Sequence, residues 1–492
     1  MYSMSKSKYC KSIQCSKILW MDEHMSEKAR QTASESVLKT GSEVGELARQ
    51  YFGACQTVPF DRSKQAMCEE TCRLLSEGAD VLAEASFMHD NCFCSVDLLR
   101  VIGGKIQLIE VKSSTEIHDI YYDDMAYQYY VLKKCGLPVE RVWNMHINNQ
   151  YVRQGDLDLK KLFILEDCTQ RVIEMQGDIP LRIAEALQCV EAEQEPDKEL
   201  DVYCDDPYEC AYKSYCHRHI EQPSVFSLNR LRTTQKYELY HQGIVSYADI
   251  VRKQPKLSDK QYQQVYAAYE KQPPKVDTEK IREFLDTLSY PLYYLDFETY
   301  QQAIPLFDGV KPYMQIPFQY SLHVQSDPGS EPEHYEFLGK EGTDPRRALA
   351  EQLCQEIPVD VCSLAYNMAF EKTVIKNLAE LFPDLSGHLM NIHGNMHDLM
   401  VPFQKQAYYC KELQGSYSIK YVLPAMCPDD PELDYHALNG IHNGSEAMTA
   451  FEELADHSPK EIAQIRKNLL AYCRLDTLAM VKILEKLYEI VR

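Results

Sequence analysis

The stretch "YYLDFETY", residues 293–300, reads as a buried β-strand that carries two acids. Side chains alternate faces along a strand, so Leu295, Phe297 and Thr299 share one face while Asp296 and Glu298 share the other. Carboxylates held side by side repel, and a fold tolerates them where water or a divalent cation lies between them. The strand therefore predicts a metal site whose remaining ligands come from elsewhere in the chain.

Those ligands are sought in the same domain, because from Pro291 onward strands alternate with helices in the manner of an α/β fold. "SLAYNMAFEKTVIKNLAELF" reads as a strand end, a short turn and an amphipathic helix, with Asn367, Phe370 and Glu371 at the helix start. Near the C-terminus, "LLAYCRLDTLAMVKILEKLYEIV" is an apolar helix interrupted by Tyr472 and Asp476, four residues apart and so on one face.

The three segments resemble the motifs of the DEDD-type 3′–5′ exonucleases, which have a ribonuclease-H-like fold. Asp296 and Glu298 match Asp-x-Glu; "NMAFE" matches Asn-x-x-Phe-Asp except that Glu371 replaces the final Asp; "YCRLD" matches Tyr-x-x-x-Asp. The resemblance covers residues 291–492. It implies that Asp296, Glu298, Glu371 and Asp476 hold two Mg²⁺ or Mn²⁺ ions, that Tyr472 orients the attacking water, and that Asp398 and Lys420 support the site. The extra methylene of Glu371 displaces its carboxylate by about 1.5 Å from where an Asp would place it.

A second acidic cluster is expected near the N-terminus. "CSVDLLRVIGGKIQLIEVKSS", residues 94–114, reads as two strands around a Gly103–Gly104 turn. With a two-residue loop Ile102 faces Lys105, and counting back sets Asp97 opposite Glu110, with Lys112 on the same face as Glu110. This resembles the PD-(D/E)xK nucleases, in their RecB-like branch with the CRISPR-associated exonucleases. The resemblance implies metal binding by Asp97 and Glu110 and a positioning role for Lys112. Gln128 in "AYQYYVL" fits its next helix, although Leu132 replaces a usual Tyr; in "GSEVGELA", Gly45 replaces a usual His and Glu46 beside it is the substitute.

Cys204, Cys210 and Cys216 in "YCDDPYECAYKSYCHRH", with Cys15 in "QCSKILW", look like the 4Fe–4S clamp of that branch, with zinc as the alternative metal. Cys10 and His217 are substitute ligands. Between the two domains, "YELYHQGIVSYADIV" reads as helix, Gly turn, helix, a form able to grip a phosphate backbone.

The expected organisation is a restriction-endonuclease-like α/β/α domain over 1–220, a helical linker over 221–290 and a ribonuclease-H-like mixed-sheet domain over 291–492. Proteins of bacteria pair two such domains, and the resemblance implies a nuclease acting on DNA ends or single strands in repair or defence, DNA in preference to RNA. The rival expectations are a nucleic-acid-binding scaffold with silent sites, and an RNA 3′–5′ exonuclease. A net charge of −22 argues against broad electrostatic adhesion to nucleic acid, but carboxylate-held cations make an acidic nuclease workable. "MYSMSKSKYC" has no apolar signal core and no long apolar run follows, so a cytoplasmic protein without membrane contact is expected, its 18 cysteines mostly reduced.

Overall fold

Between the strands Cys92–Ile102 and Lys105–Lys112 the chain reverses on Gly103 and Gly104, at φ values of +56° and +75°. Both are left-handed, which defines a tight hairpin turn that only Gly adopts without steric cost. The computed structural model describes residues 3–30, 35–428, 430–433 and 437–492. It divides into two units, Met1–Ile220 with Gln302–Tyr313, and Glu221–Gln301 with Met314–Arg492. The 221–290 segment clusters with the C-terminal residues rather than forming a body of its own.

The first unit is built on a mixed sheet of β1 (Met4–Ser5), β2 (Gln56–Thr57), β3 (Val81–His89), β4 (Cys92–Ile102), β5 (Lys105–Lys112), β6 (Val139–Ile147) and β7 (Phe163–Asp167). The order is β2-β3-β4-β5-β6-β7, with β1 pairing parallel to β4 at Met4↔Cys92 and Ser5↔Phe93. The helix Lys64–Ser76 precedes β3, and the helix Asp119–Lys134 crosses from β5 to its parallel neighbour β6. The β4–β5 register runs from Ile102↔Lys105 to Leu98↔Ile109, as the two-residue loop requires. Apolar residues on both faces bury the sheet: Val96, Leu99 and Leu108 pack with Tyr127 and Val131 on one side, Leu98 and Ile109 with Met145 and Phe163 on the other. Val96 and Leu98 would share a face in a regular strand, so alternation slips at Asp97, where Glu84 across the ladder is held at φ +57°.

The second unit contains β8 (Lys275–Val276), β9 (Leu292–Tyr300), β10 (Ile316–Gln325), β11 (Glu333–Leu338), β12 (Cys362–Ala365), β13 (Met396–Asp398) and β14 (Tyr408–Tyr409). Five of them form one mixed sheet in the order β11-β10-β9-β12-β13, while β8 and β14 pair separately. β9, β10 and β11 are antiparallel; β12 runs parallel to β9, and β13 to β12. Tyr293, Leu295 and Phe297 of β9 pack against Leu349, Leu353, Val374 and Leu378, which lie on the helices Arg346–Glu356 and Ala369–Leu381. Leu292 and Tyr294, on the opposite face, join Leu475, Ala479 and Ile483 of the C-terminal helix Pro459–Val491. The alternation read from the sequence therefore carries Asp296 and Glu298 to the side covered by that helix. The 221–290 segment supplies the helices Thr233–His241, Tyr247–Lys253 and Asp259–Tyr269 around a small core of Val225, Ile244, Ile250 and Val265. Gly243, at φ +67°, makes the turn between the first two helices, and Lys253 Nζ donates to the Gln242 and Gly243 carbonyls at 3.0 and 3.2 Å. Among the described residues no helix is long and apolar enough to cross a membrane.

β10 presents a polar row to the C-terminal helix: Gln319, Ser321, His323 and Gln325 are all buried. Gln319 Nε2 donates to Leu469 O at 2.8 Å, and Thr477 Oγ1 lies 2.6 Å from Ser321 Oγ and 2.7 Å from His323 Nδ1. His334 Nε2 on β11 lies 2.9 Å from Ser321 Oγ. Burial, with Arg474 nearby, lowers His334 to about 4; burial, then His334 and Arg474, lowers His323 to about 3. A His neutral when folded takes up its proton on unfolding below about 6.5, so its stabilisation is whole above that pH and falls as the pH drops towards the folded value. The second unit should therefore lose about 2 kcal/mol at pH 5 relative to pH 7 through His323 alone. Thermal unfolding of wild type and His323→Gln across this range checks it: the difference in stability between the two should change by this amount from pH 7 to pH 5, the variant lacking the histidine's loss at low pH, and equal slopes would refute the assignment.

Candidate functional site

In the second unit, β9 supplies Asp296 and Glu298, the first turn of the Ala369–Leu381 helix supplies Glu371, and the C-terminal helix supplies Tyr472, Cys473 and Asp476. Glu371 is only 2% exposed, and among the described residues no donor reaches its Oε2. Burial first, then Asp476, Glu298 and Glu371, holds Asp296 well above the usual carboxylate range. Burial, Asp476 and Glu371 push Glu298 up to about 8, with Lys420 pulling the other way. Glu371 also rises to about 8, mainly through burial; its own backbone N–H opposes the rise and Asp398 adds to it. The structure thus brings together the four acids and the tyrosine singled out in the sequence. The Tyr472 hydroxyl is kept protonated by burial and by Asp476, Glu298 and Asp296.

Local geometry explains how Glu371 gets there. Asn367, between β12 and its helix, adopts φ +68°, a left-handed turn that Asn tolerates better than most residues. Asp398 Oδ1 fastens that turn by accepting from the backbone N–H groups of Asn367 and Met400, both at 2.9 Å. Asp398 is thus a brace for the turn, and Lys420 a nearby cation. Gly444, opening the helix Gly444–Glu452, stands so close that an added Cβ would lie 3.4 Å from Glu298 Oε2. Three carboxylates with raised proton affinity, Asp476 beside them, an orphaned buried oxygen and Lys420 as the nearby cation form a donor set suited to hard divalent ions such as Mg²⁺ or Mn²⁺.

In the first unit, Asp97, Glu110 and Lys112 line a cavity of about 560 Å³ together with Lys6, Gly45 and Glu46. Asp97 Oδ2 accepts from Val111 N at 2.8 Å, so the side chain takes an amide at the place where the β4–β5 register stops. Lys112 Nζ bridges Glu110 Oε1 at 2.7 Å and Asp124 Oδ2 at 2.8 Å. Gln128 Nε2 donates to Glu110 Oε2 at 2.6 Å and to Asp124 Oδ1 at 2.9 Å. Lys6, which follows β1, sets its Nζ 2.9 Å from Glu110, 3.5 Å from Asp97 and 3.8 Å from Asp124. Burial works against charge on Glu110, but Lys112 and Lys6 outweigh it and hold Glu110 well below its usual range. Asp97 goes the other way, to about 7, through burial and Glu110 against the two lysines. Glu46 reaches the cavity wall but is exposed and makes none of these contacts. The Lys6 ammonium lies among Asp97, Glu110 and Asp124 and balances their charge.

Cys15, Cys204, Cys210 and Cys216 line one small cavity beside Ile18, Met21 and Tyr212. Gln14 Nε2 ties the early segment to the late one by donating to Tyr203 O at 2.9 Å and Tyr208 O at 2.6 Å; Trp20 Nε1 donates to Ala192 O at 2.9 Å. Backbone N–H groups of Lys17 and Ile18 point to the Cys15 sulfur, and that of Tyr212 to Cys210. Among the described residues, no three of these sulfurs lie within 4.8 Å of one another, whereas tetrahedral zinc at about 2.3 Å would hold them about 3.8 Å apart. Neither substitute ligand lines this cavity: Cys10 lies in the field of Asp124, Lys112 and Lys6, and His217 falls to about 4 through burial and Lys213.

Three residues escaped the sequence reading. Asp124 lies four positions before Gln128, a helical spacing that was available as a signal. Cys473 follows Tyr472 directly, and its sulfur lies within 4.8 Å of ligand oxygens of Asp296 and Glu298. Lys6 carried no signal, since only the β1–β4 pairing brings it to the acids.

Residues 293–418 match a family described as a domain of unknown function (DUF2779). The match includes Asp296, Glu298, Glu371 and Asp398 and ends before Tyr472 and Asp476. The chain is also similar to "Uncharacterized protein UU173" of Ureaplasma parvum serovar 3, at 28% identity over 215 residues, covering 39% of this chain and 30% of that protein. The chain thus spans under a third of that relative's length.

Two expectations follow. Glu298 and Glu371 bind protons more tightly folded than unfolded, so without metal the second unit loses stability as the pH rises from about 4.5 through 8. At pH 8, Mn²⁺ at about 100 times its Kd should restore about 2.7 kcal/mol, and Asp296→Asn should abolish much of the gain. A wild-type melting temperature indifferent to Mn²⁺ and Mg²⁺ would refute metal binding there. Separately, protein purified without oxygen should be brown and carry iron, and Cys204→Ser should lose the colour and melt the first unit before the second. Stoichiometric zinc, or no metal at all, would refute the iron assignment.

Proposed function

We propose that this chain is a metal-dependent nuclease that hydrolyses phosphodiester bonds at DNA ends or in single strands, acting in repair or defence. The second unit houses a 3′–5′ exonuclease site and the first a PD-(D/E)xK-type site stabilised by an iron–sulfur clamp. The observation that carries the reading is the convergence of Asp296, Glu298, Glu371 and Asp476, supplied by three separate segments, into one another's electrostatic field. Mg²⁺ or Mn²⁺ held there supplies an activated water and a stabilised leaving oxygen. Tyr472, neutral and beside the acids, can orient that water through its hydroxyl. Lys420 adds positive charge near Glu298 where a phosphate would approach. The mixed sheet with its central β9 and the helix–three strands–helix–strand order of the first unit both support the reading.

One observation favours a second reading for the first unit. Lys6 and Lys112 already balance much of the charge of Asp97, Glu110 and Asp124, a self-satisfied arrangement that suits binding without hydrolysis.

Single-stranded DNA and RNA labelled at either end, incubated in Mg²⁺ or Mn²⁺, separate these readings and the choice of sugar. Asp296→Ala and Asp476→Ala should each cut removal of 3′ nucleotides by about 10²-fold or more. Lys112→Ala should spare that activity and abolish a second one. No cleavage of any substrate by folded, metal-loaded protein would overturn the nuclease in favour of a binding scaffold.

A further inference from the structure

Two adjoining cavities of the second unit have no part in the centre described above. They share the wall residues Asn229, Arg230, Gln404, Ser416 and Tyr417, and their volumes are about 110 and 490 Å³. The larger ends at Tyr366 and Asn367, the turn that delivers Glu371 to the acidic centre. In a chain with 74 acids and a net charge of −22, none of the residues lining either cavity is Asp or Glu, and the cations on their walls are Arg230 and Lys260.

The walls are tied to each other. Lys260 Nζ donates to Gln404 O at 2.8 Å, and the Tyr366 hydroxyl donates to Tyr417 O at 2.8 Å. The Arg230 guanidinium lies over the Tyr417 ring, 4.3 Å from its centre. Arg230 itself is held at φ +56°, a left-handed conformation that costs any residue with a Cβ and persists where surroundings enforce it. Past Tyr417 the chain leads through Ser418 to Lys420, close to Glu298.

We infer that this groove, from Asn229 and Arg230 past Tyr417 to Asn367, seats a single-stranded polynucleotide whose 3′ end reaches the Asp296 centre. The inference rests on the nuclease reading of that centre and names where its substrate lies. The two cations meet the sugar–phosphate chain, and a phosphate is spared the acids that cover much of the remaining surface. Asn229, Gln404 and Ser416 offer hydrogen bonds that do not depend on base identity. The Tyr417 ring and the guanidinium plane above it form a stacking platform, which only unpaired bases can use. The groove is thus selective for single strands and indifferent to sequence.

The test measures binding of the full protein to a fluorescent 12-nucleotide single strand and to the matching duplex, in EDTA so that nothing turns over. Ultraviolet crosslinking of the same strand, mapped by mass spectrometry, accompanies it. The expected result is a crosslink at Tyr417, preference for the single strand, about tenfold weaker binding in Arg230→Ala and in Tyr417→Ala, partial recovery in Arg230→Lys, and a shallower salt dependence in Arg230→Ala. Unchanged affinity in both alanine variants, or crosslinks confined to other surfaces, overturns the groove even if the protein cleaves DNA. A wild type that binds and crosslinks at Tyr417 but never cleaves overturns the nuclease reading and leaves the groove standing.

Discussion

The polar row of β10 beneath the C-terminal helix is the constraint on which the second unit depends. Apolar side chains alone would let a 33-residue helix slide or rotate on the sheet at little cost. Gln319 bonded to Leu469, and Ser321 and His323 bonded to Thr477, allow one axial position, because any other strands buried polar groups without partners. That position brings Tyr472, Cys473 and Asp476 over Asp296 and Glu298. The hydrogen-bonded row sets the geometry, and the acids are clustered as its consequence.

The two acidic centres handle the same electrostatic problem in opposite ways. In the first unit, Lys6, Lys112 and Gln128 meet Asp97, Glu110 and Asp124 directly, and Glu110 stays ionised although only 1% exposed. In the second, four acids face one another with Lys420 nearby, and protons are held into the neutral range. A cluster of that kind is costly to fold without a cation. Its cost is tolerable where binding a divalent ion returns the stability, which is the usual economy of a functional site rather than of a structural one.

Much of this was legible in the chain. Period-two alternation separated the acids of β9 from its core residues, two glycines set the β4–β5 register, and helical spacing paired Tyr472 with Asp476. The Cys quartet was legible as two distant groups. Lys6, Cys473, the bracing role of Asp398 and the β10 polar row were not, because each acquires meaning only from what it is packed against. A buried row of Gln, Ser, His and Gln reads in sequence as a solvated strand face.

The sequence by itself determined the local elements and the face each acid takes, since these follow from backbone geometry and side-chain period over a few residues. Tertiary structure decided which acids meet, which receive a lysine and which are left for a cation. Those outcomes depend on contacts between residues more than 100 positions apart, such as Lys6 with Glu110, Gln14 with Tyr203 and Ser321 with Thr477. Distance-dependent Coulomb energy and the cost of burying unpaired polar groups act only once the chain has closed those loops.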